Sequence, residues 1–382
     1  LLFLSAHLPV RNARQAGHKT AYRNLEILAE RGPVDAVIFC SEGDRDENLS
    51  SLRKLCRRLH VEPVSNRMRF TGGLLNPLAP FMVGARYSCS VAALIRAWSA
   101  EGDYSRVHLE WSQMAAYLPH IKSHSEKTLY IHDVMTQWAG RRAAETGSLK
   151  WRMELWRARR WEASNYALFD RIFVPSQKDA ELVSLINPCL EGHVQVVPLH
   201  YDTYPVIYEG TALPEGPLTL LFWGAMARSE NADAVRWIVA KLLPRLNQLG
   251  VDYRFIAGGS NPPADIRAMA SERVIVPGFV EDPSSLFAQA HVGLLPLFMG
   301  AGVKVKVLEC LASGLPVLTT GIGAEGIEAA SADGLFVLEG DSDWFASKLG
   351  ELDRNRLLLS AASAQARRWS ASQSSDIRKL LI

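Results

Sequence analysis

The chain of 382 residues is poor in cysteine. Its five thiols (Cys40, Cys56, Cys89, Cys189 and Cys310) never fall in Cys-x-x-Cys spacing. Neither a disulfide framework nor a zinc site organises such a set, and a reducing cytosol suits it. Long apolar runs are missing too: Val292 to Phe298 is among the longest, far below the roughly 20 residues a helix needs to cross a bilayer. Charge of one sign is not in excess. The 42 Lys and Arg stand against 40 Asp and Glu, a net charge of +2 that offers nucleic acid no global field. Neither half of the chain opens with a Gly-x-Gly-x-x-Gly between a strand and a helix, which argues against a nicotinamide dehydrogenase. There is no convincing Asp-x-Asp pair to hold a metal. The first residue is Leu1, without an initiator methionine, and a signal sequence ahead of it is left open.

What is present is the composition of an ordinary globular protein, 48% hydrophobic and 21% charged, in a chain longer than one hydrophobic core usually supports. Two domains are expected. Short β-branched or apolar runs alternate with helical patterns, the signature of parallel sheets built from strand-helix-strand units. The first series of strand candidates is Leu1 to Leu4, Val34 to Phe39, Val107 to Leu109, Leu129 to Ile131, Ile172 to Val174 and Val194 to Val197. A Pro- and Gly-bearing stretch from Leu199 to Pro217 reads as a linker. The second series is Leu218 to Trp223, Tyr253 to Ala257, Val274 to Val276, Val292 to Leu295, Val317 to Thr319 and Leu335 to Leu338. The expected organisation is an α/β fold with two Rossmann-like, doubly wound domains. They comprise an N-terminal domain over 1–198, a linker over 199–217 and a C-terminal domain over 218–350. A helical segment over 351–382 is expected to return to the first domain.

The most informative segment runs from Leu294 through Gly300-Ala301-Gly302-Val303-Lys304-Val305-Lys306-Val307-Leu308-Glu309 to Ala312-Ser313-Gly314-Leu315-Pro316-Val317. It reads as strand, glycine loop, helix, turn, strand. Two glycines let the backbone approach a ligand, and free N–H groups at the helix start favour a phosphate. Lys304 and Lys306 add positive charge there. Lys306 and Glu309, three residues apart, share a helix face that offers a phosphate-binding cation and a carboxylate for ribose hydroxyls. The plainer alternative is a surface ion pair beside an ordinary turn.

This segment resembles the donor-site motif of family-4 glycosyltransferases, in the variant written GxGxKxKxLE. Further blocks follow in that family's order. Phe222-Trp223-Gly224-Ala225-Met226 with Asn231-Ala232-Asp233 resembles its first C-terminal βα unit, and Gly278-Phe279-Val280-Glu281-Asp282 its GFV element. Gly321-Ile322-Gly323-Ala324-Glu325-Gly326 is also placed as the family has it. In the first half, Gly17 after Leu8-Pro9 resembles the glycine loop facing the sugar and pyrophosphate. Ile131-His132-Asp133 resembles the strand-end histidine segment near the transferred sugar, and Pro175-Ser176 a conventional strand end. The likeness is thin from Cys40 to Val107. Ala301 stands where many members carry the first of two glutamates, so sugar contacts must come from backbone N–H groups or other side chains.

The resemblance implies a GT-B fold, two such domains facing a cleft, in a hexosyltransferase-like enzyme. It would move a sugar from a nucleoside diphosphate (UDP or GDP) to a glycan, lipid-linked or other acceptor, with retention of configuration. It implies no obligatory metal or other cofactor and a cytoplasmic role in bacterial polysaccharide or glycolipid assembly. The residues it nominates as catalytic are His132, Lys306 and Glu309. For donor binding it nominates Gly17, Gly224, Arg228, Phe279, Val280, Gly300, Ala301, Gly302, Val303, Lys304, Lys306 and Glu309. His132 also has the plain reading of a hydrogen-bonded structural residue, and Arg228 that of a solvated loop residue. A sugar-nucleotide epimerase or hydrolase on the same scaffold, or a non-catalytic nucleotide-sugar-binding subunit, remain alternatives. Lys150 to Trp161 interleaves tryptophan with arginine at helical spacing. Such a helix can lie on an anionic membrane, as peripheral attachment to the inner face of the cell membrane would need. The expectation, however, is that its Trp and Leu residues, Trp156 included, pack on the sheet while the arginines face water.

Overall fold

The computed structural model describes residues 1–11, 13, 15–41, 46–102, 104–122, 124–204, 216–372 and 380–381. It divides into two compact α/β units, one from Leu1 to His200 with the last residues of the chain, the other from Tyr201 to Ser375. The division falls within the stretch read as a linker, of which residues 205–215 lie outside the described residues.

The first unit is built on a seven-stranded, all-parallel sheet. Its strands are β1 (Leu2–Ser5), β2 (Asp35–Cys40), β3 (Arg58–Pro63), β4 (Arg106–Glu110), β5 (Glu126–Tyr130), β6 (Arg171–Val174) and β7 (Val194–Val196), in the order β3-β2-β1-β4-β5-β6-β7. Both faces are covered, as a parallel sheet requires. Leu2 and Leu4 join Val37, Val107 and Leu129 in one core, while Phe3 joins Ala36, Ile38, Leu25 and Leu28 in another, the alternation a two-residue strand period dictates.

The edge strand β3 is absent from the sequence reading. Its run Arg-Leu-His-Val-Glu-Pro has little β-branched character and is only half buried. Neighbouring charge anchors it. Asp35, fully buried at the start of β2, accepts from Arg57 Nη2 at 2.6 Å, Arg58 Nη2 at 2.6 Å and Tyr104 Oη at 2.7 Å. Burial alone would push its pKa up. These three partners outweigh it and hold the carboxyl far below its ordinary range.

The second unit carries a six-stranded parallel sheet: β8 (Leu218–Trp223), β9 (Tyr253–Gly258), β10 (Val274–Gly278), β11 (Val292–Leu295), β12 (Val317–Thr319) and β13 (Leu335–Val337). The order is β10-β9-β8-β11-β12-β13, the Rossmann arrangement. The helices Ser342–Arg354 and Arg356–Ser372 complete this unit, with Leu349, Leu359, Ala362, Ala366 and Trp369 in its core. Small residues on the last helix permit a close approach: Ser363 Oγ donates to the Gly314 carbonyl at 2.6 Å. Of the segment 351–382, then, the part through Ser372 packs in the second unit and not in the first. Leu381 belongs to the first unit, where its carbonyl accepts from Arg106 Nη1 at 3.2 Å.

Trp156 departs from expectation. In the helix Leu149–Asn165 it is 52% exposed, and the inward positions are Glu154, Ala158 and Glu162. The helix has its acids inside because they accept backbone N–H groups: Glu154 from Phe81, and Glu162 from Met135 and Thr136 at the start of the helix Met135–Thr146. The aromatic residue is left facing out.

Candidate functional site

In open parallel sheets ligands bind beyond the carboxyl ends of the strands, where the strand order reverses. The reversals lie between β1 and β4 in the first unit and between β8 and β11 in the second. Gly17 follows β1, and Gly224, Arg228 and the 300–309 segment follow β8 and β11, while His132 follows β5 beside β4, and Phe279 and Val280 follow β10 at the edge of the second sheet.

In the first unit, Glu110 ends β4 and His132 follows β5 by two residues. His132 Nε2 is 2.7 Å from Glu110 Oε2, while Glu110 Oε1 accepts from Asn24 Nδ2 at 2.8 Å and lies 3.1 Å from His108 Nε2. Burial would raise the Glu110 pKa, but the bonds from His108 and His132 lower it to about 2, so the group is a carboxylate. Trp111 stacks on His132 with ring centroids 3.9 Å apart. It does so from a left-handed backbone (φ 69°), a strained position for a bulky residue. Gly17, in the helix Ala16–Ala29, closes the group: a Cβ there would stand 3.0 Å from Trp111 and 3.3 Å from His132 Nδ1. That Nδ1 is buried and has no hydrogen-bond partner. His7 lies beside Trp111 and accepts from Arg86, and burial followed by the Arg86 charge lowers its pKa well below the ordinary value. The structure thus brings Gly17 and His132 together. It also adds Glu110 and Trp111, which carry no motif; the only available signal was an acid ending an apolar strand.

In the second unit the turn after β8 contains Gly224. A Cβ on it would meet Asn231 Nδ2 at 3.0 Å and Lys306 Nζ at 3.1 Å. Lys306, the second residue of the helix Val305–Ala312, donates to Asn231 Oδ1, and Asn231 Nδ2 in turn donates to the Ala225 carbonyl at 2.7 Å. The Lys306 ammonium lies over the Phe222 ring at 5.5 Å. Desolvation first, then the nearby charges of Arg228 and Lys304, lower its pKa to about 7 against the opposing pull of Glu230 and Glu309. Asn231, only 2% exposed, was not among the nominated residues, although it fixes the lysine.

The remaining nominees frame that lysine. Gly300 (φ 128°) and Gly302 (φ 70°) take backbone conformations that side chains disfavour. Lys304 Nζ donates to the carbonyls of Ala301 (3.2 Å) and Gly302 (2.6 Å) and stands 3.8 Å from Glu325. It therefore braces the glycine loop as well as adding charge. Val303 packs partly against the core. Glu309 is buried three residues beyond Lys306; burial first, and then the Glu309 charge, raise the Tyr204 pKa. Arg228 is largely exposed, with Nε 3.9 Å from Glu230. Phe279 is exposed after Gly278 (φ 74°), and Val280 lies partly against the core. Among the described residues no group of three or more His, Cys, Asp or Glu is placed to hold a metal ion.

Residues 217–355 match the family model described as "Glycosyl transferases group 1". No curated protein matches the chain. Among solved structures the chain is similar to HepE from Anabaena in complex with UDP (13% identity, TM-score 0.65, covering 100% of this chain and 97% of that one). It is similar to WaaG, a glycosyltransferase involved in lipopolysaccharide biosynthesis (14%, 0.66, 100% and 97%). It is similar also to sucrose-phosphate synthase from Thermosynechococcus elongatus (13%, 0.69, 100% and 96%). At such identities the likeness speaks for the fold, which is that of GT-B glycosyltransferases.

Proposed function

We propose that the chain is a retaining glycosyltransferase that takes a sugar from a nucleoside diphosphate, with UDP as carrier, and delivers it to a hydroxyl of a glycan or lipid-linked acceptor. The observation that carries this reading is the placement of Lys306. It sits in the first turn of a helix that follows a two-glycine loop, its ammonium held by Asn231 against the Gly224 turn, at the strand-order reversal of the second sheet. A leaving diphosphate gains negative charge as the glycosidic bond breaks. A fixed cation and free helix N–H groups stabilise that charge without reorganising. In this reading Lys306 and Arg228 supply the charge that a metal would otherwise bring, Glu309 takes the ribose hydroxyls, and Phe279 and Val280 flank the base. The family match over 217–355 supports the donor class, and HepE with UDP bound supports the choice of carrier.

The first unit is read as the acceptor-binding one. There Gly17 gives close backbone approach and His132 positions a sugar hydroxyl or handles its proton. Bacterial polysaccharide or glycolipid assembly is the setting this chemistry suits.

The deciding experiment is a thermal-shift series with UDP-, GDP- and dTDP-sugars, followed by UDP release with and without glycan acceptors. A ligand at a hundred times its dissociation constant stabilises the fold by about 2.7 kcal/mol. The expected result is stabilisation by UDP-sugars that is lost in Lys306→Ala. Folded protein that responds to no nucleoside diphosphate would overturn the reading.

A further inference from the structure

Arg86 lies just past the short helix Phe81–Gly84, and its side chain reaches the loop that leaves β1. Its Nε donates to the Ala6 carbonyl at 2.7 Å and its Nη2 to the His7 ring at 3.1 Å. The guanidinium is thereby held at the strand-order reversal of the first sheet. It is half buried, a position that costs a cation part of its hydration and that arginines ordinarily occupy opposite a carboxylate. Here that partner is missing. Among the described residues no carboxylate comes within ion-pair distance of Arg86, and the neighbouring charge that acts on it is a second cation, the exposed Arg69. Burial first, then that like charge, bring its pKa down to about 10.

The surroundings tie this cation to the histidine of the site. His7, which takes the Nη2 bond, stands edge-on to Trp111 with ring centroids 4.7 Å apart, and Trp111 stacks on His132. Two aromatic rings thus lie between Arg86 and His132. The acid of this group, Glu110, cannot serve as counter-ion: it is fully buried and engaged by His132, His108 and Asn24. Bracing the β1 loop accounts for Nε and Nη2. Nη1 bonds to none of the described residues, and its two N–H groups match the oxygens of a phosphate or carboxylate.

We infer that Arg86 anchors an oxyanion, a phosphate or carboxylate carried by the acceptor, at the carboxyl end of β1 beside the His7–Trp111–His132 stack. A neutral glycan fits less well, because it would leave the guanidinium without a counter-ion. That the anion belongs to an acceptor rests on the reading of the chain as a glycosyltransferase; the anion site itself does not.

The test is titration of the full chain with glucose 1-phosphate, methyl glucuronide and the neutral methyl glucoside, followed by calorimetry and by nitrogen NMR of the histidine rings. The two charged probes are expected to bind at least about tenfold more tightly than methyl glucoside and to move the His7 resonances; the preference between them tells phosphate from carboxylate. Arg86→Lys keeps the charge without the fork and should weaken the charged probes about tenfold, and Arg86→Gln about tenfold to a hundredfold, with methyl glucoside unaffected. Arg69→Gln alters only an exposed side chain and should weaken the charged probes severalfold at an unchanged melting temperature. Lys306→Ala should bind all three probes as wild type does, since that lysine belongs to the other unit, so failure of the donor site would leave the anion site standing. Equal affinity for charged and neutral probes, or no binding of any of them to folded wild type, would overturn the inference. So would wild-type affinity in Arg69→Gln and folded Arg86→Lys, or loss of the charged probes in Lys306→Ala.

Discussion

His132 Nε2 lies 2.7 Å from a carboxylate oxygen of Glu110 that is itself fully buried. An ionised carboxylate only accepts, so the proton of a neutral His132 sits on Nε2, and the buried, unpartnered Nδ1 presents a lone pair towards Gly17. In Glu110→Gln the amide can donate to Nε2 and move the ring proton to Nδ1. Turnover is expected to fall about a hundredfold to ten-thousandfold, the range of a lost proton-handling group. Affinity for a nucleoside diphosphate should hold, since Lys306 belongs to the other unit. Nitrogen NMR of the His132 ring reads the tautomer in the free protein; unchanged turnover with a moved proton would reduce His132 to a structural role.

Lys306 makes donor binding depend on pH in a defined direction. Its folded-state pKa of about 7 lies below the ordinary 10.5, so the unfolded chain binds more protons between those values and stability rises with pH across that window. Lys306→Met should therefore raise the melting temperature most at pH 6 to 7, while weakening nucleoside diphosphate binding. In wild type the diphosphate selects the charged lysine, and affinity should fall by up to about tenfold per pH unit above 7. Calorimetry in buffers of different ionisation heat should detect proton uptake on binding at pH 8. Pure proton release there would contradict the assignment.

Glu309 and Lys306 are expected to hold different parts of one ligand. Glu309→Gln should weaken UDP-sugar, UDP and uridine alike by roughly 1.5–3 kcal/mol, about tenfold to a hundredfold. Lys306→Ala should weaken the first two and spare uridine. Titration of both variants with the three ligands separates the roles, and equal affinities throughout would place the donor elsewhere.

Replacing Trp156 should matter little to stability. Half exposed, it fills no core site, and Trp156→Ala is expected to change unfolding free energy by under about 0.5 kcal/mol. Chemical denaturation checks this directly. A loss of several kcal/mol would mean that the helix buries this side chain in solution.

The sheets were readable because β1, β2, β8 and β11 are continuous apolar runs buried on both faces, a pattern that survives without any partner in view. Strand β3 was not, since its place depends on Asp35 gripping Arg57 and Arg58, a contact between residues more than twenty positions apart. The glycine loop and Lys306 stood out through local spacing. Asn231, 75 positions away from Lys306, and Glu110, 22 away from His132, are tied to them only by folding. Trp156 misled for the opposite reason. Its helix does have a core-facing side, but that side is occupied by acids whose backbone partners lie on other segments.

The turn after β8 is also pressed from below by the turn after β9. A Cβ on Gly259 (φ 148°) would fall 1.8 Å from the Gly224 carbonyl, and Gly224 N–H is bonded to Gly258 at 3.1 Å. Positions 224 and 259 thus form one steric unit, each admitting only the smallest residue. In a saturation library the two should share the same narrow tolerance, although only Gly224 adjoins the lysine. Gly259 would then pass for a ligand contact in an activity screen, although the atoms nearest to its missing Cβ are the backbone of Gly224. Gly259→Ala should be recognised by its loss of folded protein before any loss of affinity.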